Sequence, residues 1–222
     1  MHRPSRPEDL DPAARVWARA VTFALLQAAQ GDTEGYWLDD DGVWCDATAG
    51  SYWWRVTEVA DGRLVFCGQD SDGSETHLDG RQIDFLAGGP DWLPWDQLHE
   101  DARGNLFGFV YWSDGDGWQR IPYPDALDDD GLSGAALWLG SAEEFADEAS
   151  CIADVRRADL PGFTAALDRF VHRAEARTVD AALVAELLAA AGPGGEDREQ
   201  LQPGAALEVA VRAGLTRATA RG

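Results

Sequence analysis

The chain has 222 residues, with 18 arginines, no lysine, 40 acidic residues and a formal net charge of -22 at pH 7. Residues 31–160 contain 29 of the acidic residues and only 7 of the arginines, so this middle region holds the whole charge excess. A negative field of that size argues against direct binding to nucleic acid or to an anionic membrane, and the aromatic content argues against a disordered acidic chain.

The first ten residues predict a flexible arm, and a helix is expected over 11–30. Asp11 and Pro12 are typical of a helix start, since aspartate caps free backbone amides and proline fits the first helical position. Trp17, Val21 and Leu25 fall on one apolar face, and Gly31 ends the helix. That face should pack on the domain that follows.

Residues 35–140 predict an acidic β-rich core. Short aromatic or β-branched runs alternate with turns, and Asp-Gly, a strong hairpin signal because both residues tolerate positive φ, occurs seven times. Pro94 makes 90–98 a short helical turn that crosses the sheet rather than a strand. Strands of an antiparallel meander are expected near 35–39, 43–48, 52–59, 63–69, 75–78, 82–86, 105–112, 117–121 and 135–139.

Residues 141–191 predict a helix, a strand and two further helices. Ser141 and Glu144 have capping-box spacing, so a helix is expected over 142–149. A strand should follow over 151–155, then a helix from Pro161 and another over 179–191. The composition of 192–222 indicates a linker and a weak C-terminal helix over 204–219.

These elements predict an α+β fold with one domain over 11–191. Its antiparallel, tryptophan-rich β-sheet should carry the N-terminal helix and the C-terminal helices packed against it. Adjacent Trp53 and Trp54 must point to opposite faces of the sheet, so either one of them lies outside the core or both faces are covered.

The cysteines and the hydropathy pattern predict a cytoplasmic protein. Cys45, Cys67 and Cys151 are an odd number at wide spacing, which is typical of reduced thiols. The apolar run 20–29 follows acidic residues and does not fit a secretory signal, and no run is long enough to span a membrane.

The sequence predicts no catalytic group, no cofactor and no metal site. The acidic turns fail the ligand spacing of an EF-hand, since Glu75 and Ser133 stand where the loops beginning at Asp70 and Asp128 would need glycine. Cys67 and His77 could face each other across a hairpin, but a buried structural cysteine and a surface histidine are the expected roles.

The predicted partner-binding residues are tryptophans next to aspartates. Most of the tryptophans should lie in the core, but one or two could anchor an interface, where tryptophan is enriched. One group lies on the predicted hairpin near 105–121 and the other on the helical turn at 90–98. Together they are Trp112, Asp114, Asp116 and Trp118, and Asp91, Trp92, Trp95 and Asp96.

The function expected from these features is binding of a basic protein partner, such as a toxin or a nucleic-acid-binding protein. In size, charge and expected architecture the chain resembles bacterial immunity proteins that neutralise basic nuclease toxins, a likeness of class that no motif carries. An inhibitor, immunity-type or adaptor role follows. Two alternatives stay open: a small-molecule-binding or hydrolytic enzyme with a tryptophan-lined pocket, and a DNA-mimic protein.

Overall fold

The computed structural model describes residues 1–32, 34–46, 50–104, 107–192 and 201–216. Two compact units are present, one formed by residues 1–13 and 44–140 and the other by residues 14–43 and 141–222. None of the described helices has both the length and the apolar character needed to cross a membrane.

The central feature is a six-stranded antiparallel sheet with the strand order β1-β2-β3-β4-β7-β8. A separate two-stranded sheet pairs β5 with β6. The strands are β1 (Tyr36–Leu38), β2 (Val43–Asp46), β3 (Tyr52–Val59), β4 (Arg63–Asp70), β5 (His77–Leu78), β6 (Arg81–Gln82), β7 (Phe109–Ser113) and β8 (Trp118–Gln119). With the seven helices below, the α+β class and the tryptophan-rich antiparallel sheet are confirmed.

Seven α-helices complete the described elements. They are α1 (Ala13–Gln30), α2 (Trp95–Gly104), α3 (Leu132–Ala135), α4 (Ala142–Ile152), α5 (Leu160–Glu175), α6 (Ala181–Ala190) and α7 (Pro203–Arg212). The predicted capping box is present at α4, where the Ser141 hydroxyl accepts from the Glu144 backbone amide at 3.1 Å. Short 3-10 helices lie at Pro7–Asp9 and Ala60–Gly62.

In the first unit, both faces of the sheet are covered. Trp53 contacts Phe107 on one face, whereas Trp54 contacts Phe66 and Trp138 on the other. The first face carries a core in which β4 and β7 pack against the segment 83–107 that includes α2. The prediction that adjacent tryptophans occupy opposite faces is therefore confirmed.

Close packing at the centre of this sheet requires a glycine. Gly68 pairs with Trp54 across β3 and β4. A Cβ atom at Gly68 would lie 2.4 Å from the Trp53 carbonyl oxygen and 2.7 Å from the Phe109 ring. Because a backbone atom cannot give way as a flexible side chain can, only glycine fits this position.

In the second unit, helix α1 is buried over most of its length. The Phe23 ring lies 5.0 Å from the Tyr36 ring and 5.2 Å from the Phe145 ring. The Trp17 indole donates to the Ala213 carbonyl at 3.1 Å, which ties α1 to the end of α7. The apolar face of Trp17, Val21 and Leu25 is buried as expected, and burial extends to other faces of α1, as at Arg19 and Thr22.

Three predicted strands are wrong. Residues 82–86 contribute only Gln82 to a strand, and 135–139 form the end of α3 and a turn, with Trp138 and Leu139 buried. Residues 151–155 form the end of α4 and a turn in which Asp154 has a φ of 45°. Short apolar runs suit a buried turn as well as a strand, so periodicity alone could not separate them.

Several predicted segments lie outside the described residues. They are 47–48 of the second expected strand, 105–106 of the expected strand 105–112, the linker from 193 to 200, and 217–222 at the C-terminal end.

Candidate functional site

A candidate site surrounds the turn between β7 and β8, which carries two of the predicted partner-binding residues. Asp114 and Asp116 are exposed on this turn, and Gly115 and Gly117 have φ values of 107° and 130°. Glycine is the residue that adopts such angles without strain, so the turn is fixed by its two Asp-Gly pairs. Its two carboxylates consequently face water.

The two tryptophans of this hairpin lie on opposite faces of the sheet. In the register of β7 and β8, Trp112 pairs with Gln119 and Ser113 pairs with Trp118. Side chains that alternate along a strand point to alternate faces. Trp112 belongs to the core beneath the 83–107 segment, with only 6% of its surface exposed. The structure therefore places Trp112 apart from Trp118.

Trp118 borders an open groove of about 530 Å³ in the first unit. Among the described residues that line it, Glu8 and Asp116 carry charge, and both are acidic. The other lining residues are apolar residues, two glycines and Ser113, so the depression offers polar and apolar surface in similar measure together with two carboxylates. We call this depression the acidic groove; its lining residues are Pro7, Glu8, Leu10, Pro12, Ala13, Ser113, Gly115, Asp116, Gly117 and Trp118.

The second wall of the acidic groove is the segment 7–13, part of the region expected to be a flexible arm. The Trp118 indole donates to the Asp11 carbonyl at 2.7 Å, and the Gly140 amide donates to the Asp11 carboxylate at 2.8 Å. The Asp9 carboxylate accepts from the backbone amides of His2 and Arg6, each at 2.9 Å. These bonds give the segment a defined path beside β8.

A buried polar cluster holds Ser5, just before this wall. The Asp130 carboxylate accepts from the Ser5 hydroxyl, from the Ser5 amide at 3.2 Å and from the Tyr123 hydroxyl at 3.0 Å. The Tyr111 hydroxyl lies 2.7 Å from the Ser5 oxygen. Because Ser5 gives its proton to Asp130, Tyr111 donates to Ser5. A chain of hydrogen bonds thus joins Tyr111 of β7, Ser5 and the turn that contains Asp130.

Burial dominates the electrostatics of this cluster. It raises the pKa of Asp130 above its ordinary value, although the donors from Ser5 and Tyr123 act in the opposite direction. Burial also raises the pKa of Tyr111 and of Tyr123. Both phenols therefore stay protonated at neutral pH and can serve as donors. Arg120 stacks on Tyr123, with its guanidinium carbon 3.5 Å from the ring centre.

The second predicted group, at 91–96, lies on and before the first turn of α2. Asp91 and Asp96 are exposed, and Trp92 and Trp95 are half-buried against the core that contains Trp112. The Arg63 guanidinium lies over the Trp92 ring at 4.9 Å. These residues do not line the acidic groove, so the structure separates the two predicted groups.

Cys67 and His77 lie where a buried structural cysteine and a surface histidine are expected. Cys67 is fully buried in β4, whereas His77 is exposed in the two-stranded sheet. Burial raises the pKa of the Cys67 thiol to about 11, although the nearby Arg55 lowers it. A thiol of that pKa is protonated at neutral pH and is a poor nucleophile. The expected structural role of Cys67 agrees with this environment.

Sequence reasoning missed two groups of buried polar residues. Arg55 is 1% exposed, forms an ion pair with Asp101 at 2.5 Å, and stacks on Trp44 at 4.7 Å. Ser5 and Asp130 meet across 125 positions of sequence. The residue pattern of β3 shows Arg55 next to Trp54 but does not indicate a charged partner 46 positions later. The sequence around Ser5 contains no feature that distinguishes this serine.

The second unit contains a depression of about 310 Å³. Tyr36 and Trp37 of β1 line it together with Glu208 and Arg212 of α7.

Among the described residues of the chain, no group of three or more His, Cys, Asp and Glu side chains is arranged to hold a metal ion. The acidic turns are accounted for by hydrogen bonds of their own, such as those from the Asp41 and Gly42 amides to the Asp39 carboxylate.

In comparisons with known proteins, no family model matched the chain, and no curated protein or solved structure matched it.

Proposed function

We propose that the protein binds a basic protein partner through the acidic groove. The observation that carries this proposal is the composition of the groove, in which every charged residue among the described lining residues, Glu8 and Asp116, is acidic. Lysine and arginine side chains combine an apolar stem with a charged head. A depression that offers both carboxylates and apolar surface is complementary to both parts.

Charge beyond the groove supports the same partner. The net charge of -22 attracts cationic proteins over the range at which exposed charges act, about 10 Å at 0.1 M ionic strength. Asp114, exposed next to the groove on the same turn, adds to the local field. Arg6 lies 4.0 Å from Glu8, but both side chains are more than half exposed, so this pair is open to exchange with an incoming cation.

The biological role that fits this proposal is an inhibitor, an immunity-type protein or an adaptor, acting in the cytoplasm. In each role a rigid acidic surface must engage a basic surface quickly and then hold it. Electrostatic complementarity acts mainly on the association rate, whereas tight packing at an aromatic anchor acts mainly on dissociation. The groove brings both elements together at Asp116 and Trp118.

The test uses a synthetic peptide of alternating arginine and glycine as the probe, with its citrulline analogue as the uncharged control. Isothermal titration at 50 mM and 300 mM salt should show binding of the arginine peptide that weakens with salt, and weaker binding of the citrulline peptide. Equal binding of both peptides would contradict recognition of a cation.

Location is tested with charge-matched variants of the first unit. Asp114→Asn with Asp116→Asn removes two carboxylates at the groove, and Asp125→Asn with Asp128→Asn removes two exposed carboxylates that do not line it. The groove variant should bind the arginine peptide about tenfold more weakly, the scale of a lost pair of charge-assisted contacts. Equal losses in both variants would contradict a groove site and favour a distributed carboxylate array of the DNA-mimic kind.

Stopped-flow kinetics with the same peptide separates the two contributions. The Asp114 and Asp116 variant should slow association, because it removes charge that guides the encounter. Trp118→Ala should accelerate dissociation, because it removes the aromatic side chain that borders the groove. A small molecule that occupied the groove and blocked the peptide would favour the alternative of a ligand-binding site.

A further inference from the structure

We propose that Ser5 is a positioning residue that holds segment 7–13 as a wall of the acidic groove, so that partner binding depends on a hydroxyl outside the groove. The inference rests on the proposed function of that groove. Ser5 does not line the groove, yet it is fully buried two residues before Pro7, where the wall begins.

The first step of the argument is that Ser5 is bonded on every side. Its hydroxyl donates to Asp130 and accepts from Tyr111, its amide donates to Asp130, and its carbonyl accepts from the Arg120 side chain at 3.3 Å. A buried donor or acceptor that loses its partner is costly. Withdrawal of residue 5 would take the Ser5 acceptor from Tyr111 and two donors from Asp130, which would keep its bond from Tyr123, so this position resists displacement.

The second step concerns the contacts that hold the rest of the wall. After Ser5, described hydrogen bonds join the segment to β8, from the Trp118 indole to the Asp11 carbonyl, and to residue 140, from the Gly140 amide to the Asp11 carboxylate. The Leu10 side chain is buried and also holds this end of the wall, whereas Glu8, which supplies its charge, is exposed. Loss of the Ser5 bonds would therefore loosen the end of the wall that carries Glu8.

The third step is that the anchor is specific to this position. The Tyr111 and Asp130 groups come from β7 and from the turn before α3, and both elements belong to the same unit as segment 7–13. Their side chains are buried, so a cation entering the groove does not meet them directly. Ser5 thus affects the groove through the backbone that connects it to segment 7–13, and not by contact with a partner.

The test compares Ser5→Ala with Ser150→Ala. The Ser150 hydroxyl donates to the Asp147 carbonyl within α4 of the other unit, so its loss also removes a serine hydrogen bond but leaves the groove intact. Amide hydrogen exchange over residues 7–13 should be about tenfold faster in Ser5→Ala, the scale expected for loss of one buried bond, and unchanged in Ser150→Ala. Affinity for the arginine-glycine peptide should fall by a similar factor only in Ser5→Ala.

Asp130→Asn provides a second variant of similar shape that weakens the same anchor from the other side, and it should also speed exchange over 7–13. Unchanged exchange in both variants would overturn the inference. Faster exchange with unchanged peptide affinity would overturn it as well, because the wall would then not matter for binding. If the wild-type protein did not bind the peptide at all, the proposed function would be wrong, and with it the dependence of binding on Ser5.

Discussion

Removal of the Asp101 carboxylate should destabilise the first unit strongly, because it would remove the ion pair that Asp101 forms with the buried Arg55. Arg55 is 1% exposed, and the side chain of Asp101 is 12% exposed. Breaking a buried pair from one side typically costs about 3–5 kcal/mol. Since Asp101 retains some contact with water, we expect Asp101→Ala to cost about 3 kcal/mol, at the lower end of that range.

The assay is urea denaturation followed by tryptophan emission. Eight of the ten tryptophans lie within residues 1–13 and 44–140, so the signal reports mainly on the unit that contains the pair. A loss of 3 kcal/mol corresponds to a fall of about 6–12 °C in the melting temperature for a chain of this size. Asp125→Ala, on an exposed loop residue, is the control and should change stability by less than about 0.5 kcal/mol.

A double variant separates the cost of removing one partner of the pair from the value of the pair itself. Arg55→Met with Asp101→Leu replaces both charged groups by apolar ones and should recover most of the stability lost in Asp101→Ala. The reasoning would be refuted if Asp101→Ala cost less than about 1 kcal/mol, a value typical of a solvent-exposed ion pair.

Three further predictions concern other buried positions. Gly68→Ala should cost about 2 kcal/mol or more in the same denaturation assay, because its Cβ would lie 2.4 Å from a backbone oxygen; Gly104→Ala, with open space around it, should not be destabilising. Only one thiol per native chain should react rapidly with a thiol reagent at pH 8, the exposed Cys151, because burial raises the pKa of Cys67 to about 11; rapid reaction of two or three thiols would contradict this. Burial raises the pKa of Asp130, so the native protein binds this proton more tightly than the unfolded chain. The resulting stability is fully present below the unfolded pKa of about 3.9 and is lost as the pH rises through the folded pKa; wild type should therefore lose stability relative to Asp130→Asn across that window, and a constant or opposite difference would count against it.

Local sequence is sufficient to specify the hairpins. Asp-Gly pairs stand between β1 and β2, between β3 and β4, between β5 and β6, and between β7 and β8, as the sequence predicts. At the β5–β6 turn both residues have positive φ, 50° for Asp79 and 75° for Gly80. Such turns depend on two adjacent residues, so local chemistry is sufficient to specify them. The capping box at Ser141 is local in the same sense.

The candidate site could be predicted only in part. Asp116 and Trp118, which the sequence singles out together with Asp114 at an Asp-Gly turn beside aromatic residues, line the acidic groove, and Asp114 lies next to it. The division of Trp112 from Trp118 follows from strand alternation and could have been deduced once the hairpin register was known. Glu8 was missed, since its position beside the β7–β8 turn depends on where residues far along the chain fold.

Tertiary structure alone decided which distant residues meet. Ser5 contacts Asp130, and Arg55 contacts Asp101. These contacts depend on the pairing of β4 with β7 and on the packing of α2 against the sheet, which no local pattern encodes. Tertiary packing also made a turn of the apolar run at 135–139, because burial of Trp138 against Trp54 satisfies that run without strand pairing. The physical reason is common to all three: the free energy of burying a polar or apolar group depends on which groups surround it, and those are supplied by chain segments far away in sequence.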